Sequence, residues 1–165
     1  MRELFFNNFD IQSLNFTPML QGLLHTHSLL RYILLILILI AIAKALSGWL
    51  GKKSFTERTR KINLITLILA HIQLVIGLTL YFLNGWHTKL GNMKNPTRFW
   101  TIEHLAMMLI AIALITVGYS FSKKGKTDEA KHKRIAIFFL IALLVIFYAI
   151  PWPWSAVARG WMPGM

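Results

Sequence analysis

Four stretches of this chain are almost unbroken in apolar residues, and short polar segments separate them. Residues 29–43 (LLRYILLILILIAIA) hold one charge, and residues 62–83 (INLITLILAHIQLVIGLTLYFL) and 135–150 (IAIFFLIALLVIFYAI) hold none. Residues 99–121 (FWTIEHLAMMLIAIALITVGYSF) hold only Glu103. Crossing a hydrocarbon layer of ~30 Å takes about 20 residues at a rise of ~1.5 Å each. With its flanks each stretch comes to about that length. The pattern predicts an all-α integral membrane protein with helices at about 23–46, 62–84, 99–121 and 133–150. Pro151 and Pro153 stop the last one. Short connections favour an up-and-down four-helix bundle, in which the first and third helices are diagonal and run the same way.

Two tails flank this domain. Residues 1–21 carry Leu4, Phe5, Phe9, Ile11 and Phe16 among polar residues, a pattern that suits a membrane interface or a disordered tail equally. Residues 151–165 are rich in Trp and Pro, and tryptophan suits an interface.

Composition agrees with the pattern: 56% of the residues are hydrophobic, above the 45–50% of soluble domains. The net charge of +12 sits in the connections, with five Lys and Arg in Gly51–Lys61, three in residues 84–98 and six in Lys123–Arg134. Basic loops stay in the cytoplasm. The first and third connections are therefore expected inside, and the second connection and both termini outside. A nucleic-acid role finds no support. Ala43–Lys44–Ala45 matches a small-x-small cleavage pattern, but a signal peptide carries its positive charge before a short apolar core, and here it follows a long one.

The chain has no cysteine, which excludes disulfides, thiolate metal sites and covalently attached c-type haem. Candidate chemistry rests on histidine. His132, in the run KHKR, and His87, after Trp86, read as solvated loop residues. His25, His27, His71 and His104 lie in or beside the apolar blocks, where polar groups are costly and usually face the bundle interior. His27 and His104 each lie five residues past the outer starts of their helices at Gly22 and Phe99, ~7 Å deep. His71 stands twelve residues before Leu83, ~18 Å deep. Two histidines at one depth on diagonal helices can bind the two faces of a haem. His25 is ~200° around the helix from His27, so only one of them faces the core, and His27 is the deeper.

Arg31, one turn after His27, would suit a propionate. Ala111 and Gly118 would leave room for a macrocycle, and Met107 and Met108 would pack against it. The same residues admit other readings. Arg31 and Glu103 could form an ion pair, and His27 and His104 could lock helices together by hydrogen bonds. Histidine with Glu103 could instead hold zinc or copper.

The segments HSLLRY, AHIQLVIGLTLYF, EHLAMMLIAIALITVG and KHKRIAIFFLIALL with IPWPW resemble small bacterial four-helix membrane proteins of the cytochrome b type, over roughly residues 22–154. The resemblance implies haem b, electron transfer and the bacterial cytoplasmic membrane, with His27, His71 and His104 as the matching histidines. Large respiratory cytochromes b carry two histidines on each of two helices, whereas here each helix offers one. The expected function is a one-haem membrane cytochrome b, with His27 and His104 as iron ligands, linked to quinol or to a respiratory complex, or acting as a homo-oligomer. Such a chain is an electron carrier or subunit rather than a stand-alone enzyme. A haem-free structural or assembly subunit and a quinone- or metal-binding protein are the alternatives.

Overall fold

The structure, a computed structural model, describes the backbone of residues 2–91, 94–157, 160 and 161, and side chains from residue 18 onward. Four long helices form it: α1 (Arg2–Leu50), α2 (Glu57–Leu83), α3 (His104–Lys123) and α4 (Asp128–Ala149). A π-helical segment, Phe99–Glu103, leads into α3, and a 3₁₀ turn, Trp86–Lys89, follows α2. Each helix contains a span long and apolar enough to cross a membrane, so the chain is a multi-pass membrane protein of all-α class.

Alternating spacings of three and four residues build the core. On α1 the inward line is His27, Arg31, Leu34, Ile38, Ala41, Ala45 and Gly48; on α2 it is Thr59, Asn63, Thr66, Ala70, Gln73, Gly77 and Leu80. On α3 it is His104, Met108, Ala111, Ile115, Gly118 and Ser122; on α4 it is His132, Ile135, Phe139, Ala142, Ile146 and Ala149. This is the stripe that left-handed helix packing requires. The middle of the bundle is dry, with Ile38, Ala70, Ala111, Ile115, Phe139 and Ala142 fully buried. Packing is extensive between α3 and α4, α1 and α4, and α1 and α2, and sparser between α2 and α3. The pairs α1/α3 and α2/α4 are the diagonals.

The helices run past their apolar stretches because polar residues cap them. Thr56 Oγ1 accepts from the Thr59 N–H at 3.3 Å, and Thr127 Oγ1 accepts from the Ala130 N–H at 3.1 Å. Both satisfy backbone donors that a helix start leaves open. α4 therefore begins at Asp128, and His132 is inside it. The expectation of a solvated loop histidine is corrected here, since His132 is 2% exposed. The bundle thus has a basic end, at the turns before α2 and α4, and an opposite end where His27 and His104 stand.

The N-terminal segment has a helical backbone continuous with α1, while the side chains of residues 1–17 lie outside the described residues. In the C-terminal segment Trp152 and Trp154 stack at 5.1 Å, with Trp161 edge-on to both. Residues 158, 159 and 162–165 lie outside the described residues.

Candidate functional site

Two small cavities open between the helices at the end opposite the basic one, about 100 Å³ and 80 Å³ in volume. His27, His104, Gln73, Trp100 and Met108 line both. These side chains divide what is otherwise one interhelical space. Diagonal helices α1 and α3 thus bring an imidazole each to the same place.

His104 is held by the chain before it and the helix beside it. Its backbone N–H bonds Phe99 O, five residues back, so His104 stands where the π turn becomes an α-helix. A π turn inserts a residue and re-aims the side chains that follow, and such turns concentrate at functional positions. The segment is anchored by Tyr81 Oη, which donates to Thr101 O at 3.1 Å, and by Thr101 Oγ1, which donates to Thr97 O at 2.9 Å. The His104 ring nitrogen Nδ1 lies 2.9 Å from Ala149 O of α4. A carbonyl can only accept, so Nδ1 carries the proton, and a neutral imidazole in this tautomer has its acceptor at Nε2. Histidine ligands of iron and zinc are set up in this way, by a second-shell carbonyl that fixes tautomer and ring orientation. Phe99 and Trp100 flank the ring, with centroids 5.8 and 5.6 Å away. Trp100 in turn stacks on Trp86, which lines the larger cavity.

His27 is seated by α2. Gly77 lies against it, and a Cβ there would stand 3.1 Å from His27 Cε1. Gln73, one turn away, donates from Nε2 to His27 O at 2.8 Å, while its Oε1 is buried without a protein donor. Arg31 lines the smaller cavity. One of its terminal nitrogens donates to Tyr32 Oη at 2.8 Å and to Trp161 O at 2.9 Å, and its Nε is buried with no protein acceptor.

Other candidates are elsewhere. His71 faces outward from α2, in a shallow groove of Leu67, Ile68, Ile72, Val75 and Ile76. Its Nδ1 donates to Leu67 O of its own helix at 2.8 Å, not to a neighbouring helix. The His27 ring lies against Gly77, six residues along α2 from His71, so the two histidines differ in level by about 9 Å. His71 also occupies the far side of α2 from the cavity. Met107 lines neither cavity, and His25 is exposed. Glu103 pairs with Arg98 at 2.6 Å rather than with Arg31. Among the described residues no three His, Asp or Glu side chains come together as a metal site. Gly118 closes against Phe138 of α4 and leaves no room there for a ring.

Sequence reasoning missed Gln73, Gly77 and Trp100. Gln73 and Gly77 could have been found, because they fall on the three-and-four line that runs through Thr59, Asn63, Thr66 and Ala70. Comparison with family models, with curated proteins and with solved structures finds no match to this chain.

Proposed function

We propose that this chain is a membrane b-type cytochrome that binds one haem b between His27 and His104 and passes electrons along or across the membrane, in exchange with quinol or a respiratory partner. The observation that carries this reading is the convergence of two imidazoles, from diagonal helices, on one apolar space. Three features fit the group. The donor set is bis-imidazole, which suits electron-transfer haem. Gly77 leaves a cradle for the His27 ring. Arg31 keeps a buried, unused N–H beside the cavity, where a carboxylate would be matched by the guanidinium. The cavities are smaller than the ~300 Å³ of even a modest ligand site. A macrocycle therefore needs the dividing side chains to turn aside, and Met108, unbranched and flexible, is the one suited to do so.

Bound haem iron would supply one-electron exchange. In that case His27 and His104 would hold the iron, Trp86 and Trp100 would keep water out of the site, and Arg31 would neutralise a propionate. Quinol bound in the same cavity is the second reading, favoured by Gln73 Oε1, a buried acceptor with no protein donor.

Arg31→Ala is expected to lower haem retention during purification several-fold with the ligand spectrum unchanged. Arg31→Lys should recover only part, because the planar fork is lost. Haem-to-protein ratio by pyridine haemochrome reads both. His71→Ala is expected to leave the haem spectrum intact, since His71 is on the far side of α2 from the cavity. Loss of haem in that variant would move the ligand to α2.

We further propose the bacterial cytoplasmic membrane, with the basic end inside and both termini outside, because five and six basic residues flank the inner connections and three the outer one. The cysteine-free chain allows single-cysteine labelling. Ser54→Cys should be shielded from an impermeant maleimide in intact cells and Thr88→Cys labelled, and the reverse pattern would invert the topology.

A further inference from the structure

We propose that a file of internal water enters the bundle from its basic end along α2, held by Thr56, Thr59, Asn63 and Thr66. Between the Gly48–His132 contact and the middle of the bundle, the inward lines of α1 and α4 are apolar, with Ile38, Ala41 and Ala45 on one and Ile135, Phe139 and Ala142 on the other. α2 instead turns Thr59, Asn63 and Thr66 inward, at 8%, 1% and 0% exposure. Both atoms of the Asn63 amide, Oδ1 and Nδ2, are buried without a protein hydrogen-bond partner. Buried polar atoms are almost always satisfied, and a group left dry bears its full desolvation cost. This amide calls for an occupant.

The polar neighbours of Asn63 are on its own helix face. Thr59 is four residues before it and Thr66 three after, and side chains at these spacings stand ~5–6 Å apart on a helix. Neither bonds the amide directly, and groups so spaced are bridged by water. Thr66 Oγ1 donates to Ile62 O at 2.9 Å and keeps its lone pairs to accept with. Thr59 Oγ1 lies 3.1 Å from Thr56 Oγ1, and Thr56 is exposed at the basic end. From Thr56 to Thr66 the line is continuous, in steps of three, four and three residues. It runs about 15 Å into the bundle.

α1 leaves room beside this line. His27 lies against Gly77, and the two helices are antiparallel. Counting equal steps from that contact brings Ala41 level with Asn63 and Ala45 level with Thr59. The same count brings Ile38 level with Thr66 and Leu34 level with Ala70. Small residues thus accompany the polar ones, and bulk closes the file where the polar groups end. Asn63 Oδ1 needs a donor and Nδ2 an acceptor, which selects the occupant. Water supplies both, and an internal water makes about three such bonds. A metal cation would be opposed by the amide N–H and by the basic connections, and the nearest carboxylate along α2, Glu57, is bonded to Arg60 at 2.7 Å. Thr66 is seven residues from Gln73, so the file stops about 10 Å short of the His27–His104 cavity. It does not depend on the haem reading.

The cysteine-free full chain, in lipid nanodiscs, tests this with Ala41→Cys beside the file and Ala142→Cys in the dry middle, both at positions that are 0% exposed. Aqueous silver ion is the probe, and the thiol left unreacted is counted after unfolding. A thiol reacts as its thiolate, which apolar burial suppresses by orders of magnitude and water restores. Ala41→Cys should therefore react at least about tenfold faster than Ala142→Cys. The added substitution Asn63→Leu, which keeps the volume and removes the amide, should bring Ala41→Cys down to the Ala142→Cys rate. Equal rates in the two single variants, or a fast rate that survives Asn63→Leu, would overturn the proposal. Water-edited ¹⁵N NMR of the unsubstituted chain gives a second reading that needs no variant to fold. The Asn63 side-chain NH₂ should show a cross peak with water, while the backbone N–H of Ala142 shows none. A silent Asn63 amide would remove the file.

Discussion

His104→Ala is expected to abolish the low-spin haem spectrum of the purified protein. If His104 holds haem iron, its loss would leave the iron short of a ligand, and any haem still bound would be high-spin. Retention should fall as well. Disturbing only the outer-shell partners of a metal ligand typically costs 10–100-fold in affinity, and removing the ligand itself should cost at least that. Added imidazole, free to occupy the vacated position, should restore the low-spin bands. The π turn and the Ala149 carbonyl exist on this account to present the Nε2 lone pair, so His104→Gln, which keeps bulk but not an imidazole, should behave like the alanine variant. His25→Ala, on the opposite face of α1, should leave the spectrum unchanged. A His104→Ala protein with full haem content and unaltered bands would show that α3 supplies no ligand.

Gly77→Val is expected to do nearly as much harm without touching a ligand. A lone Cβ at this position would already stand 3.1 Å from His27 Cε1, and the two methyls of valine would take the space of the ring. His27 must then leave its rotamer and its aim into the cavity. The substitution does not weaken the helix, because valine is the better helix former than glycine by a few tenths of a kcal/mol. The expected result is haem content lowered to the His27→Ala level, with an unfolding midpoint within a few degrees of the haem-free parent. Gly77→Ala should be milder, since the ring need shift by only a few tenths of an ångström. Undiminished haem in Gly77→Val would mean that the seat of His27 is not what sets the site.

The fold was legible because a bilayer imposes one requirement on every segment. Four apolar stretches of sufficient length admit little but four helices, and their short connections order them around the axis. The ends were not legible from hydropathy, since capping by Thr56 and Thr127 extends α2 and α4 through charged turns that no apolar pattern marks. This is why His132, read by its neighbours Lys131 and Lys133, turned out to be a core residue. Depth counted along the chain placed His27 and His104 together, and the structure brings both to one space. The same counting set His71 apart by depth, and the side of α2 it occupies separates it further. Gln73 and Gly77 stayed hidden because an uncharged amide and a glycine stand out in an apolar block only once the three-and-four line is drawn. The π turn before His104 has no counterpart in the residue pattern, and we have no sequence signal for it.

The reduced-minus-oxidised absorption spectrum of the purified chain and of its His27→Ala/His104→Ala double variant, both from haem-replete cells, tests the central claim most directly. The account predicts sharp low-spin b-type bands at about one haem per chain in the first and none in the second. A chain that purifies without haem, or a double variant that keeps the low-spin bands, would contradict it.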